Sequence, residues 1–121
     1  MEKKAVAIDV NKTEWEERPQ PSGKSYFRKM LVWDHEEGIR VNMAKYPAGY
    51  VTTWHTHPCA HGMLVMEGTL CTSDGNFGPG TFVWHPEGVL MEHGAPPDED
   101  VTVLFITNKP FSIDFVDKEE K

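Results

Sequence analysis

Cysteine is scarce in this chain, with only Cys59 and Cys71 in 121 residues. That is too few for a disulfide-stapled scaffold and points to a reducing compartment, so the expected location is cytoplasmic. Long hydrophobic runs are missing as well. No apolar stretch approaches the ~20 residues that a membrane-spanning helix needs, and Asp9 and Asn11 break up what would be the apolar core of a secretory signal. Cations are in the minority: 12 Lys and Arg face 19 Asp and Glu, for a net charge of −7. They are scattered rather than gathered into a stripe. Nucleic-acid binding, which needs clustered cations over phosphates, is thereby disfavoured, and the acidic excess reads as solubility. Helical periodicity is equally sparse, and only Val10 to Glu17 reads as a helical turn.

What is present is a succession of short strands, and the length is that of one domain spanning residues 1–121. Ser25 to Trp33 alternates and is rich in aromatics, and Asp34 to Gly38 turns the chain. Ile39 to Tyr46 follows, ended by Pro47-Ala48-Gly49. Val51 to His57, Met63 to Met66, Thr69 to Thr72 and Thr81 to His85 come next, with turns at Glu67-Gly68 and Ser73 to Asn76. Val101 to Thr107 and Phe111 to Val116 close the chain. Strands at this spacing, punctuated by Gly, Pro and Asn, predict an all-β barrel or sandwich.

The densest chemistry lies between Gly49 and His61, where His55, His57 and His61 fall within seven residues. Histidines two apart on an extended strand face the same way, so His55 and His57 can reach one ion together. Pro58 turns the chain and lets His61 return to that side from the start of the next strand. His93, downstream, is a fourth candidate. Neutral imidazoles from two short segments are the donors that iron, nickel, copper and zinc prefer. The plainer alternative, strand or loop histidines satisfied by hydrogen bonds, leaves this density unexplained. His35, in a polar turn, and His85, on the opposite parity from Trp84, are read as lying outside the ligand set. Cys59 reads as a small apolar side chain at a turn.

This arrangement resembles the cupins, small antiparallel jelly-roll barrels with a metal inside. Gly49, His55, His57 and Gly68 fall on the first cupin motif with matching spacing, while His61 takes the position usually held by Glu. Gly80, Pro86 and Gly88 fall on the second motif, but its His position holds Met91. His93 comes two residues later and faces the same way as Met91. The motifs span residues 49–93. The resemblance implies an all-β fold of the cupin type, a double-stranded β-helix, with the metal held by His55, His57, His61 and His93. Within the cupins, the His55–His61 string and the segment from Ile106 to Asp117 resemble the dioxygenases that cleave 2,4'-dihydroxyacetophenone and acetylacetone-type ketones with ferrous iron.

An all-imidazole shell would leave the ion its full 2+ charge and favour a chelating anionic substrate such as an enolate. Fe(II) is the natural candidate for oxidative chemistry; zinc, nickel, manganese and copper are alternatives that the donors admit. Alternation places Met63, Val65 and Met91 on the inner face, with Phe82, Trp84 and Phe105 completing an apolar wall for a small-molecule substrate. No Lys or Arg lies in the motif segments, which disfavours phosphate-bearing substrates. No catalytic acid or base is identifiable. The expected function is an Fe(II) dioxygenase-like enzyme cleaving a small ketone or diketone. Its alternative is a non-catalytic binding or sensor domain around a structural zinc or nickel ion. The aromatic strand with Tyr26, Phe27, Leu31 and Trp33 needs cover, so a homodimer is expected.

Overall fold

The computed structural model describes residues 4–52 and 54–109 together with the backbone of 114–115. After a short 3-10 turn over Val10–Lys12, the strands run β1 Glu16–Pro19, β2 Ser25–Trp33, β3 Arg40–Tyr46, β4 His55–Thr56, β5 His61–Glu67, β6 Leu70–Thr72, β7 Gly75–Phe77, β8 Phe82–His85, β9 His93–Gly94, β10 Val101–Thr107 and β11 Asp114–Phe115. One antiparallel sheet has the order β1-β2-β3-β10-β5-β8; a three-stranded sheet has the order β7-β6-β9, and β11 pairs with β4. The architecture is an all-β antiparallel jelly roll.

Turn chemistry sets the corners. Gly49, Gly68, Gly80 and Gly88 all sit at positive φ, between 78° and 87°. At Gly68 the constraint is double, because a Cβ there would also run into the carbonyl oxygen of Asp100. The expected strands Ser25 to Trp33 and Val101 to Thr107 form with those bounds. Two readings differ. The stretch from Val10 to Glu17 is helical only over Val10–Lys12, and Glu16–Pro19 is instead an edge strand on β2. Its run of charges hides the strand, but Glu16 accepts a 2.6 Å bond from Nε of the buried Arg28. Of Val51 to His57, only His55–Thr56 is a strand, while Val51 makes a single bridge to Gly94; Thr53 lies outside the described residues. So does most of Phe111 to Val116, apart from the backbone pairing of Asp114–Phe115 with β4.

The inner faces of β3, β10 and β5 stack in rows across the large sheet. Tyr46 pairs with Val101; Ala44 pairs with Val103, and Val103 with Val65; Asn42 pairs with Phe105, and Phe105 with Met63. Thr107 pairs with His61, and His61 with His85. The first two rows, with Leu70, Tyr50 and Ala95 and with Met63 and Phe105 of the third, form the apolar core. Val65, Leu70, Val101 and Val103 are at most 1% exposed, and burying each side chain stabilises the fold by about 1.5–3 kcal/mol. The last row is polar. It also takes in Arg40, whose backbone N–H donates to Thr107 Oγ1 at 3.1 Å.

Candidate metal centre

The segment between β4 and β5 is built to return the chain onto itself. His55 exchanges two 2.9 Å backbone bonds with Met91, and the amide of Thr52 donates to the carbonyl of His93 at 2.8 Å. The second-motif segment therefore lies directly against the first, bringing His93 beside His55. The corner at Pro58-Cys59-Ala60 is clamped by Asn108, which accepts from the Ala60 amide at 3.0 Å and donates its own amide to the Ala60 carbonyl at 3.3 Å. Cys59 is fully buried there, and burial pushes its thiol pKa up, which keeps it an unreactive apolar filler.

His55, His57, His61 and His93 all face the interior and are at most 4% exposed. Ring centres lie 4.8 Å apart for His55 and His57, 4.7 Å for His57 and His61, and 5.2 Å for His55 and His93, each pair edge to face. An imidazole bonded to a metal at ~2.1 Å places neighbouring ligand ring centres roughly 4.6 Å apart at a right angle and roughly 5.2 Å apart at a tetrahedral one. The observed spacings fall in that range. Among the described residues, no set of three His, Cys, Asp or Glu side chains stands preset in a metal-holding geometry. The backbone fixes where each ring sits, whereas rotation about a histidine χ2 is soft, so small ring rotations can turn the nitrogens towards a shared ion.

A second observation concerns hydrogen bonding. Both ring nitrogens of His61, Nδ1 of His93 and Nε2 of His85 are buried without a hydrogen-bond partner among the described residues. Buried polar atoms rarely go unsatisfied, since each costs about 1–3 kcal/mol. Metal coordination would satisfy them, so the donor set fits a divalent transition metal. Burial, followed by repulsion from His57, His85 and His55, pushes the His61 pKa down to about 2. Burial also holds His93 well below the ordinary range. Neutral imidazole is the ligating form.

His85 departs from the sequence reading. It is 3% exposed, with its ring 4.8 Å from His61 and 6.4 Å from His93, and it belongs to the cluster. Correspondingly, Phe82 is 55% and Trp84 50% exposed, so neither contributes to the inner wall. Antiparallel pairing of His61 with His85 fixes the parity of β8. Gly62, without a side chain, leaves the Phe82 ring its seat on the outer face. Every residue of Phe82-Val83-Trp84-His85 is large and unsaturated or apolar, so the sequence carried no alternation signal. His35 is exposed and stacks on Trp33 at 4.7 Å, as its turn position implied.

Beside the histidines lies a cavity of about 40 Å³, room for roughly three waters. His55, His57, His93 and Phe105 line it together with Tyr26, Tyr46, Tyr50, Thr52, Asn42 and Arg40. Of the expected apolar wall, Phe105 is in place. Met63, Val65 and Met91 are buried as expected, but they pack in the interior rather than on the cavity lining. Arg40 was missed because β3 is inverted: its buried positions are Arg40, Asn42, Ala44 and Tyr46, while Val41 and Met43 are half-buried.

An antiparallel jelly roll whose interior carries histidines from two motif segments is the architecture of a cupin. The chain belongs to the ChrR cupin-like domain family, whose family model matches residues 3–112. Cupins commonly bind a transition metal. Solved structures with this fold include a cupin-like protein from Thermotoga maritima, 25% identical, covering 79% of this chain and 81% of that one with a TM-score of 0.70. The polyketide cyclase RemF from Streptomyces resistomycificus is 19% identical over 97% of this chain and 89% of its own, with a TM-score of 0.80. A protein from Methylibium petroleiphilum assigned as an acetylacetone dioxygenase is 14% identical over 100% and 87%, with a TM-score of 0.81. No curated protein matches the chain. No helix among the described residues is long and apolar enough to cross a membrane.

Proposed function

We propose that the chain is a metal-dependent enzyme of the small-cupin type, in which His55, His57, His61 and His93 hold a divalent transition metal, Fe(II) foremost. The observation that carries this reading is the buried ring nitrogens of His61 and His93 that have no partner among the described residues, in a cluster spaced for a shared ion. When bound, the ion supplies a Lewis-acid centre for the oxygens of a small ketone or diketone and, as iron, a partner for dioxygen. The chain supplies the rest. His61, enclosed and held neutral, keeps a donor available across the ordinary pH range. Phe105, whose ring centre lies 4.9 Å from that of His61, walls the site against water. The likeness to a protein assigned as an acetylacetone dioxygenase supports the substrate class.

Anaerobic reconstitution with Fe(II), followed by oxygen-uptake assays with acetylacetone and 2,4'-dihydroxyacetophenone, tests the reading. Substrate-dependent oxygen consumption in the iron form and none in the zinc form is the expected outcome. Stoichiometric zinc that resists exchange, with no oxygen uptake, would instead favour a non-catalytic binding or sensor domain. The outward side chains Phe82, Trp84, Met66 and Ile106 on neighbouring strands support pairing of two copies through this face. A monomer by light scattering at micromolar concentration would contradict that homodimer.

A further inference from the structure

The cavity has a cationic wall, supplied by Arg40. Arg40 is 5% exposed and lines the cavity together with His55, His57 and His93. Its guanidinium is positioned from two sides: Nε donates to Asn42 Oδ1 at 3.0 Å, and the Trp33 ring lies 5.4 Å from Cζ. Asn42 is itself 2% exposed and anchored through Nδ2 to the Met43 carbonyl at 3.1 Å. Other guanidinium groups gather behind it. Arg28 bonds Glu16 at 2.6 Å and Arg18 lies 3.8 Å from the same carboxylate, and Arg40 also adds to the field that holds Glu16 low. In a chain of net charge −7, this is a local concentration of positive charge at one wall of a small cavity.

Burying a guanidinium is costly, and the cost is commonly recovered where a planar anion is to be gripped. The fork of five N–H donors matches the two oxygens of a carboxylate, and a water-poor wall strengthens that contact. We propose that the cavity takes a small organic acid, its carboxylate anchored by Arg40 and its carbonyl end directed at the histidine cluster. This inference rests on the metal-centre reading for the second half of that placement only. It narrows the substrate class from ketones in general to oxo-acids, and it gives Arg40 the part of a specificity-determining residue. Asn42 acts through it as a positioning residue. The cavity, at about 40 Å³, suits a compact acid.

A matched pair tests it: acetoacetate, which carries the free carboxylate, and methyl acetoacetate, which keeps the β-dicarbonyl core without the charge. Both are titrated calorimetrically into the metal-loaded full-length protein and into the Arg40→Met and Arg40→Lys variants, with metal content measured in each. The acid should bind the wild-type protein at least about 30-fold more tightly than the ester. Arg40→Met should erase that preference while keeping the metal, and Arg40→Lys should keep part of it, because an ammonium retains the charge but not the fork. Equal binding of acid and ester to wild-type protein, no binding of either, or a preference that survives Arg40→Met would overturn the proposal. If Arg40→Met does not fold, the wild-type pair and Arg40→Lys decide, and an undiminished preference in the lysine variant overturns the fork. A protein that holds no metal yet still prefers the acid would sink the metal-centre reading while leaving the Arg40 site standing.

Discussion

The two ends of the barrel share the same three strands and differ almost completely in chemistry. On β3, β10 and β5, one end presents Tyr46, Val101, Ala44, Val103 and Val65 to the interior; the other presents Arg40, Thr107 and His61. Backbone pairing continues from one end to the other, so the frame does not register the change. At the apolar end, each buried side chain adds to stability through area removed from water. At the polar end, His61, His85 and His93 carry buried nitrogens with no partner among the described residues, which subtracts from it. A fold can carry such a site because the cost is confined to the rows at one end. Stability and chemistry are therefore separable here by position along a strand.

The largest expected effect comes from making the polar end resemble the apolar one. In His61→Leu, metal affinity should fall by more than about 100-fold, since losing a ligand exceeds the loss that outer-shell changes cause. The metal-free protein should be at least as stable as wild type, because two unpartnered buried nitrogens are replaced by apolar surface. Elemental analysis with thermal unfolding reads both quantities, and a large loss of stability in the metal-free variant would break the comparison.

The reverse change comes next. Leu70→Ala, at the apolar end, should cost about 2–5 kcal/mol in denaturant unfolding and leave metal stoichiometry unchanged. Coupled loss of the metal would show that the ends are not separable.

The mildest effect is on pH dependence, and it belongs to the polar end alone. His61, His85 and His93 have pKa values lowered chiefly by burial, whereas in the unfolded chain they titrate near ~6.5. Above that pH both states are neutral and the folded protein has its full stability. Below it the unfolded chain takes up protons that the folded chain does not, and stability falls as pH drops towards the folded values. Each such histidine contributes up to about 1.4 kcal/mol per pH unit. Metal-free protein should therefore lose melting temperature between pH 6.5 and 5, and His61→Leu should lose less. A flat profile in the wild-type protein would contradict the buried-neutral assignment.

The same contrast explains what could be read in the sequence. The frame was legible because turn glycines and alternating strands such as Val101–Thr107 follow local rules. His55, His57 and His61 were legible because their spacing lies within one local stretch, and His93 because it repeats the parity of Met91. Arg40 and His85 were not. Both depend on pairing between strands distant in sequence: β3 buries its polar set, and β8 carries aromatic rings on both faces, so only the register of His61 with His85 shows which side points inward. The strand at Glu16–Pro19 was hidden for a related reason, since its charges are matched by Arg28 from β2 rather than by any pattern of its own.

The central claim is that the buried histidines hold a transition metal. Elemental analysis of protein purified without chelator or affinity tag, and again after anaerobic reconstitution, tests it most directly. The account predicts close to one metal ion per chain, lost in His61→Leu and retained in Leu70→Ala. No metal under either condition would contradict it.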